Sequence, residues 1–498
     1  MIKELLVSSI ALNVGLILGR FAGFLREALV AKKFGLSADA DIVILMLTVP
    51  DLLINILIGG ALGVALIPEF AKKPEQSRKL LYQAVLVLGS IMACLALLIS
   101  LIPAPLVSFL APGFSGNVLE RASYALGWVI WLIPLTVLSG LLVAYLHAQN
   151  RFGIAALGTA IINMTVVIGI WVSLYYEEVQ ILEWIAFCVL LGGGLRLFSQ
   201  AMAVRVAWSP VGSFTPLYVN KELVKNFFQA TLSGSLLLFS PVVARAFASF
   251  SGDGGLALFN YASRLVEFPL AIAITFVTAV IFPRLARSYL IRSCFHKDLI
   301  VYGLKIIIVL ACVALAALVG GHDAYVRAAF DYGGLAEGDI VQLSKLTVIG
   351  LLGLPLQGVV GFITAVFHAR KNTGTPLLIN LFSLLIFIAV NQQAVFGSDL
   401  DSIMWAMLFS YGCNVILQVS FLRIPELCIK ADLCDLKYIV SLLGVSLMLY
   451  FSAVKISALL EPWLAIFLLF LLSVLSLVVL VLLNKDSRNL VLERFKVK

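Results

Sequence analysis

Charged side chains interrupt the first two apolar runs of this 498-residue chain, where they could bind an ion or a charged ligand. Arg20, Arg26 and Glu27 lie near the end of the first run, and Asp41 and Asp51 lie in the second. An arginine near the centre of a bilayer costs roughly 2.5–3.5 kcal/mol on insertion scales. A membrane helix therefore retains such a group where it faces another segment or water, and often where it has a function.

A second group of charges follows in the other half of the chain, where Arg264 and Glu267 are three residues apart. Residues at that spacing are neighbours on one helix face, so a structural ion pair explains them as readily as a ligand site does. Arg20 and Glu27 also project from nearly the same face, since they are seven residues apart. Because charges concentrate on the first two spans of each half, we predict a hydrated cavity. Its excess arginine favours a phosphate or carboxylate ligand.

The first apolar run also carries Gly15, Gly19 and Gly23 at four-residue spacing. Small residues at this spacing allow two membrane helices to approach closely. We therefore predict tight helix packing along this face of the run. A hinge is the alternative interpretation of the same glycines.

The elements that carry these residues are predicted from composition and hydropathy. The chain is 62% hydrophobic and 12% charged, with a mean hydropathy of +1.07, which is typical of a polytopic membrane protein. A bilayer core of about 30 Å requires ~20 apolar residues per helix. We predict an all-α integral membrane protein with fourteen transmembrane helices, at residues 5–26, 42–68, 80–102, 124–146, 154–176, 181–204, 222–250, 255–283, 299–320, 342–367, 374–393, 402–422, 438–454 and 462–484.

The chain has a net charge of +8, and its charged residues are distributed unevenly between alternate predicted loops. Loops after even-numbered spans are basic, as at 284–297 and 485–498, whereas opposite loops are acidic, as at 177–183 and 331–339. The positive-inside rule then places both termini in the cytoplasm. We expect a multi-pass protein of the bacterial cytoplasmic (inner) membrane that contacts the lipid bilayer and does not bind nucleic acid.

Two pairs of short sequences recur along the chain at nearly the same offset. YLHAQNRFG at 145–153 resembles VFHARKNTG at 366–374, and IPEFAKK at 67–73 resembles FPRLARS at 282–288. Coincidence is the alternative because each match is short, but a repeat of an even number of spans predicts two parallel six-helix lobes. The predicted regions are a first lobe at 1–205, a second lobe at 206–422, and the last two helices with a cytoplasmic tail at 423–498.

The sequence offers no sign of catalysis or of a bound cofactor. It contains no GxxxxGK[ST] phosphate loop, and its four histidines and seven cysteines match no common metal-ligand spacing. We therefore expect no enzyme activity, no catalytic residues, no metal site and no cofactor. The driving force is expected to be a coupling cation or the membrane potential, which supplies ~2.3 kcal/mol per charge per 100 mV.

Five motifs in a fixed order give the chain a specific family resemblance. They are GRFAGFLREALVAKKFG with the following ADADIVILMLTVPDLL, APGF at 111–114, HAQNRFG with Asn163 downstream, NYASRLVEFP at 260–269, and FHARKNTGTP at 367–376. With these motifs, spans 1 to 12 of the chain resemble the MurJ/MviN family, the lipid II flippases of the multidrug/oligosaccharidyl-lipid/polysaccharide exporter superfamily. The resemblance implies two six-helix lobes around a cationic central cavity, with the last two helices forming a groove for a lipid tail.

The resemblance also implies a function and a set of site residues. Members of the family move an undecaprenyl-pyrophosphate-linked peptidoglycan precursor from the inner to the outer leaflet by alternating access. The essential cavity arginines of the family correspond to Arg20, Arg26 and Arg264, which are expected to bind the pyrophosphate of a lipid-linked saccharide. Asp41 and Glu267 correspond to acidic residues of the family and are expected to orient these arginines or to take part in switching.

The chain departs from the family pattern at several positions. After the proline of span 2, the family continues with an asparagine, paired arginines and a Glu-Gly, of which only the last glycine is retained. The departures are Asp51, Ile54, Asn55 and Gly59 in span 2, where Gly60 is the retained glycine, Ser263 in place of an aspartate, and Ala155 and Thr159 in place of prolines. A cavity without the arginine pair is less cationic, so a saccharide headgroup other than that of lipid II stays open.

Three other functions compete with this interpretation. A polysaccharide or drug exporter of the same superfamily is one alternative, although an arginine-rich cavity disfavours cationic drugs. A non-transporting membrane scaffold for envelope-synthesis enzymes has no need of buried arginines, but the loss of the arginine pair keeps this alternative open. An integral-membrane enzyme acting on polyprenyl lipids is disfavoured because no loop carries an Asp-rich or His-based site.

Overall fold

The computed structural model describes residues 2–56, 66–67, 69–71, 74–149, 151–176, 180–204, 239–290, 296–370, 372–393, 399–422 and 436–483. Within these ranges the chain is helical and contains no strand, as expected for long apolar runs whose backbone groups must be paired internally. Contacts between residues divide the chain into two compact units, Met1–Leu258 and Phe259–Lys498. Each unit has apolar core residues of its own.

The first unit consists of long helices and short helical turns. Its helices are α1 (Ile2–Phe34), α2 (Ala38–Ile56), α3 (Pro74–Leu101), α4 (Ala104–Leu110), α5 (Gly116–Val129), α6 (Leu132–Ala148), α7 (Gly153–Ser173) and α8 (Ile181–Val204). A further helical segment at 239–248 continues into a 3-10 turn at Ser249–Ser251. The next helix, α9 (Gly255–Leu290), begins at the end of this unit.

The second unit contains most of α9 and the helices that follow it. They are α10 (His296–Gly320), α11 (His322–Phe330), α12 (Glu337–Leu352), α13 (Leu354–Ala369), α14 (Gly374–Gln392), α15 (Leu400–Phe421), α16 (Leu436–Leu459) and α17 (Pro462–Leu483). The helix axes of α12 and α13 differ by 42° at the break between them. The break follows from Pro355, at the start of α13, which has no N–H to continue the preceding helix.

Within the described residues, nine helical stretches are long and apolar enough to cross a bilayer, one of them formed by α5 and α6 together at Gly116–Ala148, and the bent pair α12–α13 raises the number to ten. They correspond to the predicted spans 3 to 6, 9 and 11 to 14, with the bent pair in place of span 10. Helices α1 and α9 coincide with spans 1 and 8, and α2 covers the first part of span 2. Span 7 lies mostly outside the described residues. The chain is thus an all-helical, multi-pass protein, and the number of fourteen spans stays a prediction.

The similar sequences at 145–153 and 366–374 form the same backbone turn. Arg151 N donates to Leu146 O at 2.9 Å, and Asn372 N donates to Phe367 O at 3.0 Å, at positions 221 residues apart. Each turn ends one helix, and the next helix begins at the glycine that closes the motif. The turn also presents an arginine in each unit whose side chain caps a later helix.

These arginines bind carbonyl groups at the end of a helix. Arg151 donates to Ala203 O of α8 at 3.1 Å, and Arg370 donates to Leu422 O at the end of α15 at 2.8 Å. Carbonyl groups in the last turn of a helix lack intrahelical donors, so a cationic side chain stabilises them. Each motif therefore supplies an arginine that caps a later helix, although the two arginines are at different positions within the repeat.

The apolar cores around these turns are also built from matching positions. In order along the chain, the matched residues are Leu66, Phe70, Ala84, Leu141, Tyr145 and Leu146 in the first unit, and Ile281, Leu285, Leu304, Phe362, Val366 and Phe367 in the second. The offset is 215 residues for the first pair and 221 for the last. This agreement supports the predicted repeat. The predicted boundaries at 1–205, 206–422 and 423–498 stay a prediction.

The glycines of α1 allow the close helix packing that their spacing predicts. A Cβ atom on Gly15 would lie 2.5 Å from the Cβ of Ala156, and one on Gly19 would lie 3.2 Å from the Cβ of Thr159. A Cβ atom on Gly23 would likewise meet α7. Because contacts advance along both helices together, α1 and α7 run parallel. The packing interpretation of these glycines is confirmed.

Candidate substrate-binding site

Arg26 lies at the centre of a buried polar group that joins α1, α2 and α7. Its Nη2 atom donates to Asp51 Oδ2 at 2.9 Å and to Glu27 Oε1 at 2.8 Å. Its Nη1 atom donates to Asn163 Oδ1 at 2.8 Å. The side chains of Arg26 and Glu27 are only 2% and 1% exposed, and that of Asp51 is 23% exposed. The two carboxylates and the amide compensate the cost of burying the arginine.

Asn163 connects α7 to α1 at two points. Besides accepting the hydrogen bond from Arg26, it donates from Nδ2 to Gly19 O at 3.1 Å. Its amide can do this because Gly19 and Gly23 bring α1 within reach of α7. The close packing of the two helices and the placement of Arg26 therefore depend on each other.

Within the Arg26 group, the arginine contacts two carboxylates, which compensate its positive charge. Both Nη atoms of Arg26 are hydrogen bonded inside the protein, and the side chain is buried. In this conformation Arg26 is not accessible to a ligand. Direct binding of a substrate by Arg26 therefore stays a prediction that requires this group to open.

Arg20 occupies a different face of α1. It is exposed, and so are its apolar neighbours Ile17 and Phe21. Glu27 lies on nearly the same helix face as Arg20 but is covered by other elements. The two arginines of α1 are thus in opposite environments, one exposed and one buried.

Asp41 binds the N-terminus of a helix. Its Oδ2 atom accepts from Gly254 N at 2.8 Å, and its Oδ1 atom accepts from Ala257 N at 2.7 Å. These N–H groups belong to the start of α9, where the first-turn donors have no intrahelical acceptor. A carboxylate at this position also interacts favourably with the helix dipole. Asp41 is 2% exposed, so this contact is internal to the first unit.

Two glycines bring the start of α9 and the turn before it close to neighbouring loops. Gly254 has a φ of +82°, and a Cβ atom there would lie 2.7 Å from Leu36. A Cβ atom on Gly113, in the APGF motif, would lie 2.1 Å from Ser249 O, and Gly113 N donates to Ser249 Oγ at 2.8 Å. Side chains at these two glycines would displace backbone. The loops around Leu36, Gly113 and Gly254 therefore meet at one end of the first unit, beside Asp41.

In the second unit, Arg264 and Glu267 form an ion pair on α9. The Nη1 atom of Arg264 is 3.2 Å from Glu267 Oε2, and the two side chains are 26% and 38% exposed. Exposure of this size leaves both groups accessible from outside the helix. Arg264 is thus more accessible than Arg26 in this conformation.

Arg196 of α8 is a further buried arginine, outside the set of arginines predicted to bind the pyrophosphate. It is 2% exposed, and its Nε and Nη1 atoms have no hydrogen-bond acceptor among the described residues. A Cβ atom on Gly158 would lie 2.8 Å from both Arg196 Nε and Gln200 Nε2, so both side chains pack directly over this glycine. Hydropathy places Arg196 within a span, but it does not show that the side chain is enclosed.

Part of the span-2 departure from the family pattern cannot be placed. Gly59 and Gly60 lie outside the described residues, as do the side chains of Ile54 and Asn55. Asp51 is described and belongs to the Arg26 group. Among the described residues, no three or more His, Cys, Asp or Glu side chains are grouped as metal ligands.

Long apolar helices, with arginine–carboxylate groups in each unit, define a multi-pass membrane protein that carries charged groups on its spans. A family model described as lipid II flippase MurJ matches residues 30–477, which is most of the chain. The chain belongs to the lipid II flippase MurJ family. With its many apolar helices, it is a multi-pass protein of the inner membrane.

Curated relatives and solved structures agree with this family. A protein of Borreliella burgdorferi named "Probable lipid II flippase MurJ" is 23% identical over 449 residues, covering 88% of this chain and 87% of the relative. The "Lipid II flippase MurJ" of Burkholderia cenocepacia is 23% identical over 391 residues, covering 74% of each chain.

Two solved structures show that the fold is shared. A structure of lipid II flippase MurJ in an inward closed conformation has a TM-score of 0.82 and 22% identity, covering 98% of this chain and 100% of that chain. An inward-facing multidrug resistance MATE family transporter has a TM-score of 0.68 and 14% identity, covering 85% of this chain and 99% of that chain. The fold is therefore common to flippases and drug exporters, and side chains must distinguish their functions.

Proposed function

We propose that this protein moves an undecaprenyl-pyrophosphate-linked saccharide, lipid II or a close relative, from the inner to the outer leaflet by alternating access. The observation that carries this proposal is the match of the lipid II flippase MurJ family model across residues 30–477. Arginines on apolar helices are consistent with it, because a diphosphate crossing a bilayer needs cationic partners. In this proposal both termini are cytoplasmic, and each lobe contributes residues to a hydrated path.

Arg20 and Arg264 are the proposed ligands of the pyrophosphate. Both side chains are exposed to some degree, so each can exchange its present contacts for phosphate oxygens. A guanidinium group binds such oxygens with two parallel N–H donors. Glu267 is proposed to orient Arg264 when no substrate is bound, since the two form an ion pair at 3.2 Å.

We propose that Arg26 does not bind the substrate in this conformation but holds neighbouring helices in place. Its charge is already compensated by Glu27 and Asp51, and its contacts join α1, α2 and α7. The group would keep the α1 face that carries Arg20 at a fixed place. A conformation in which Asp51 moves away would release Arg26 for direct binding.

Asp41 is proposed as a switching residue. Its carboxylate holds the start of α9, the helix that carries Arg264 and Glu267 further along. Release of this contact would free the first turn of α9 and change the direction of the helix at its N-terminal end. An orienting contact with an arginine would require a different conformation, because both carboxylate oxygens accept backbone hydrogen bonds here.

A second candidate is a flippase for another polyprenyl-linked saccharide. Asp51 supports this alternative, because it adds a carboxylate beside Arg26 where the family pattern has an asparagine. A less cationic path favours a headgroup with fewer negative charges. Lipid II carries carboxylates on its peptide, so a saccharide headgroup without a peptide would have fewer negative charges than lipid II.

The test combines transport in a purified system with function in cells. Proteoliposomes containing the protein should translocate fluorescent lipid II, and expression should support growth of bacteria depleted of their own lipid II flippase. Transport of a peptide-free polyprenyl-pyrophosphate saccharide but not of lipid II would favour the second candidate. A protein that inserts normally and translocates neither lipid would be a scaffold, and the proposal would be wrong.

A further inference from the structure

Helix α9 contains a proline in its interior, at Pro269. Because proline has no N–H, the carbonyl group of Leu265, four residues earlier, lacks its usual intrahelical donor. Leu265 is fully buried, and a buried carbonyl group without a hydrogen bond is unfavourable. This position in the helix therefore needs a donor from another element.

Tyr325 of α11 supplies the missing donor. Its hydroxyl group donates to Leu265 O at 2.9 Å. One turn earlier on α9, the ring of Tyr261 packs against Phe330 of α11, with ring centroids 5.1 Å apart. The short helix α11 thus supports α9 at two successive turns, once by a hydrogen bond and once by aromatic packing.

Helix α11 is itself fixed by polar contacts to its surroundings. Ala324 N donates to Ser457 Oγ of α16 at 3.1 Å. Arg327 binds Asp323 at 3.1 Å within α11, and it also forms an ion pair with Glu337 at the start of α12. A helix held at both its N-terminal and C-terminal turns can act as a support for a neighbour.

Apolar packing alone does not orient the proline turn of α9. Val266 packs with Leu351 and Leu354, and Leu270 lies against the same cluster. Such apolar contacts are not directional, and helices bend at proline. The hydrogen bond from Tyr325 to Leu265 O therefore supplies a directional contact that fixes the turn.

Arg264 and Glu267 lie on this same turn, immediately before and two residues after Leu265. We propose that Tyr325 is a positioning residue: by replacing the donor that Pro269 lacks, it holds the turn that presents Arg264 and Glu267 to the diphosphate. This inference rests on the proposed function of Arg264 as a diphosphate ligand. Tyr325 itself does not touch the substrate.

The test uses three variants of the full-length protein in detergent. Tyr325→Phe keeps the ring and removes the hydroxyl group. Adding Pro269→Ala to it restores a backbone N–H that can bind Leu265 O within the helix. Tyr332→Phe is the matched control, since it removes another hydroxyl-to-carbonyl hydrogen bond, to Ala328 O at 2.6 Å, just beyond the end of α11.

Hydrogen–deuterium exchange in the peptide covering 261–270 reports on the turn without any ligand. We expect faster exchange in Y325F, recovery in Y325F/P269A, and wild-type exchange in Y332F. A structural role for the tyrosine ring alone would not be rescued by the alanine. Unchanged exchange in Y325F would overturn the proposal, because the turn would then be held by something else.

Affinity for undecaprenyl pyrophosphate reports on the position of Arg264. We expect Y325F to bind roughly three- to tenfold more weakly than the wild type, and Y325F/P269A to bind within about twofold of it. Wild-type affinity in Y325F, with weaker binding in R264Q, would overturn the positioning role. Wild-type affinity in R264Q would instead contradict the proposed function. The positioning role of Tyr325 would then also be wrong, because it depends on binding of the diphosphate by Arg264. The exchange data would still show whether Tyr325 holds the turn.

Discussion

Arg26 in the first unit and Arg264 in the second are each paired with a glutamate on their own helix, but their surroundings differ. Arg26 is 2% exposed and bonded to two carboxylates and an amide, whereas Arg264 is 26% exposed and paired with Glu267. A buried cation must be compensated within the protein because its desolvation is costly. A partly exposed ion pair contributes little, so it can be exchanged for a ligand.

Because of this difference, we expect Arg26 and Arg264 to have different functions, although the two residues look alike in the sequence. The Arg26 group has a structural task in the conformation described here, because it joins three helices of the first unit. The Arg264 pair has the accessibility that a ligand requires. The following experiments test this division by comparing stability with transport.

Arg26→Ala should have the largest effect on stability. It removes the buried cation that contacts both Glu27 and Asp51, which should lower the free energy of unfolding by about 3–5 kcal/mol. Arg264→Ala should lower it by no more than about 1 kcal/mol, yet abolish translocation. Thermal unfolding in detergent measures the first property and proteoliposome transport the second. Equal melting temperatures for R26A and R264A would contradict the structural role of Arg26 that separates it from Arg264.

Asn163→Ala should have the next largest effect. It removes a buried hydrogen-bond acceptor of Arg26 and the donor to Gly19 O, so we expect a loss of about 2–3 kcal/mol. Asn391→Ala is the control, because Asn391 makes a backbone hydrogen bond of 2.8 Å to Phe387 O near the end of α14. A loss in N163A no greater than in N391A would show that the Arg26 group does not hold α1 to α7.

Asp41→Asn should have a moderate effect. The amide places an N–H group against one of two backbone donors, which should cost about 1–2 kcal/mol at the start of α9. Asp39→Asn, two residues away, removes a partly exposed ion pair with Arg121 and should cost less than about 1 kcal/mol. If D39N and D41N unfold at the same temperature, the proposed hold of Asp41 on α9 is wrong.

Glu267→Gln should have the smallest effect on stability of these variants, less than about 1 kcal/mol, because the side chain is 38% exposed. It should nevertheless slow translocation, since Arg264 would lose the carboxylate that orients it. The comparison is made between E267Q and wild-type protein reconstituted at equal density. If E267Q transports at the wild-type rate, Glu267 is not part of the site, which would then consist of the arginines.

Much of the fold is predictable because hydropathy and helix length are local properties. Hydropathy predicts the sixth span at 181–204, and α8 has the bounds Ile181–Val204. The close packing of α1 on α7 follows from three glycines at helical spacing. The repeat was visible in short sequences, and the shared turns and core positions of the two units support it.

The contacts of the site were less predictable because they join distant parts of the chain. Asp51 is a departure from the family pattern in the sequence, but its pairing with Arg26 depends on how α1 and α2 pack. The sequence predicts that Asp41 orients an arginine or takes part in switching, but it does not show that both carboxylate oxygens accept N–H groups of a helix terminus. Pro269 is visible in the sequence, but the donor that compensates it comes from a tyrosine 56 residues later.

In the proposed function, the exposed Arg20 and the partly exposed Arg264 bind the diphosphate, and the buried Arg26 does not. The most direct measurement is the affinity of purified protein for undecaprenyl pyrophosphate in Arg20→Gln and Arg264→Gln, each first shown to unfold at the wild-type temperature. We expect each substitution to weaken binding by roughly tenfold or more, since each removes a charge-assisted hydrogen bond. Wild-type affinity in both folded variants would contradict the proposed function.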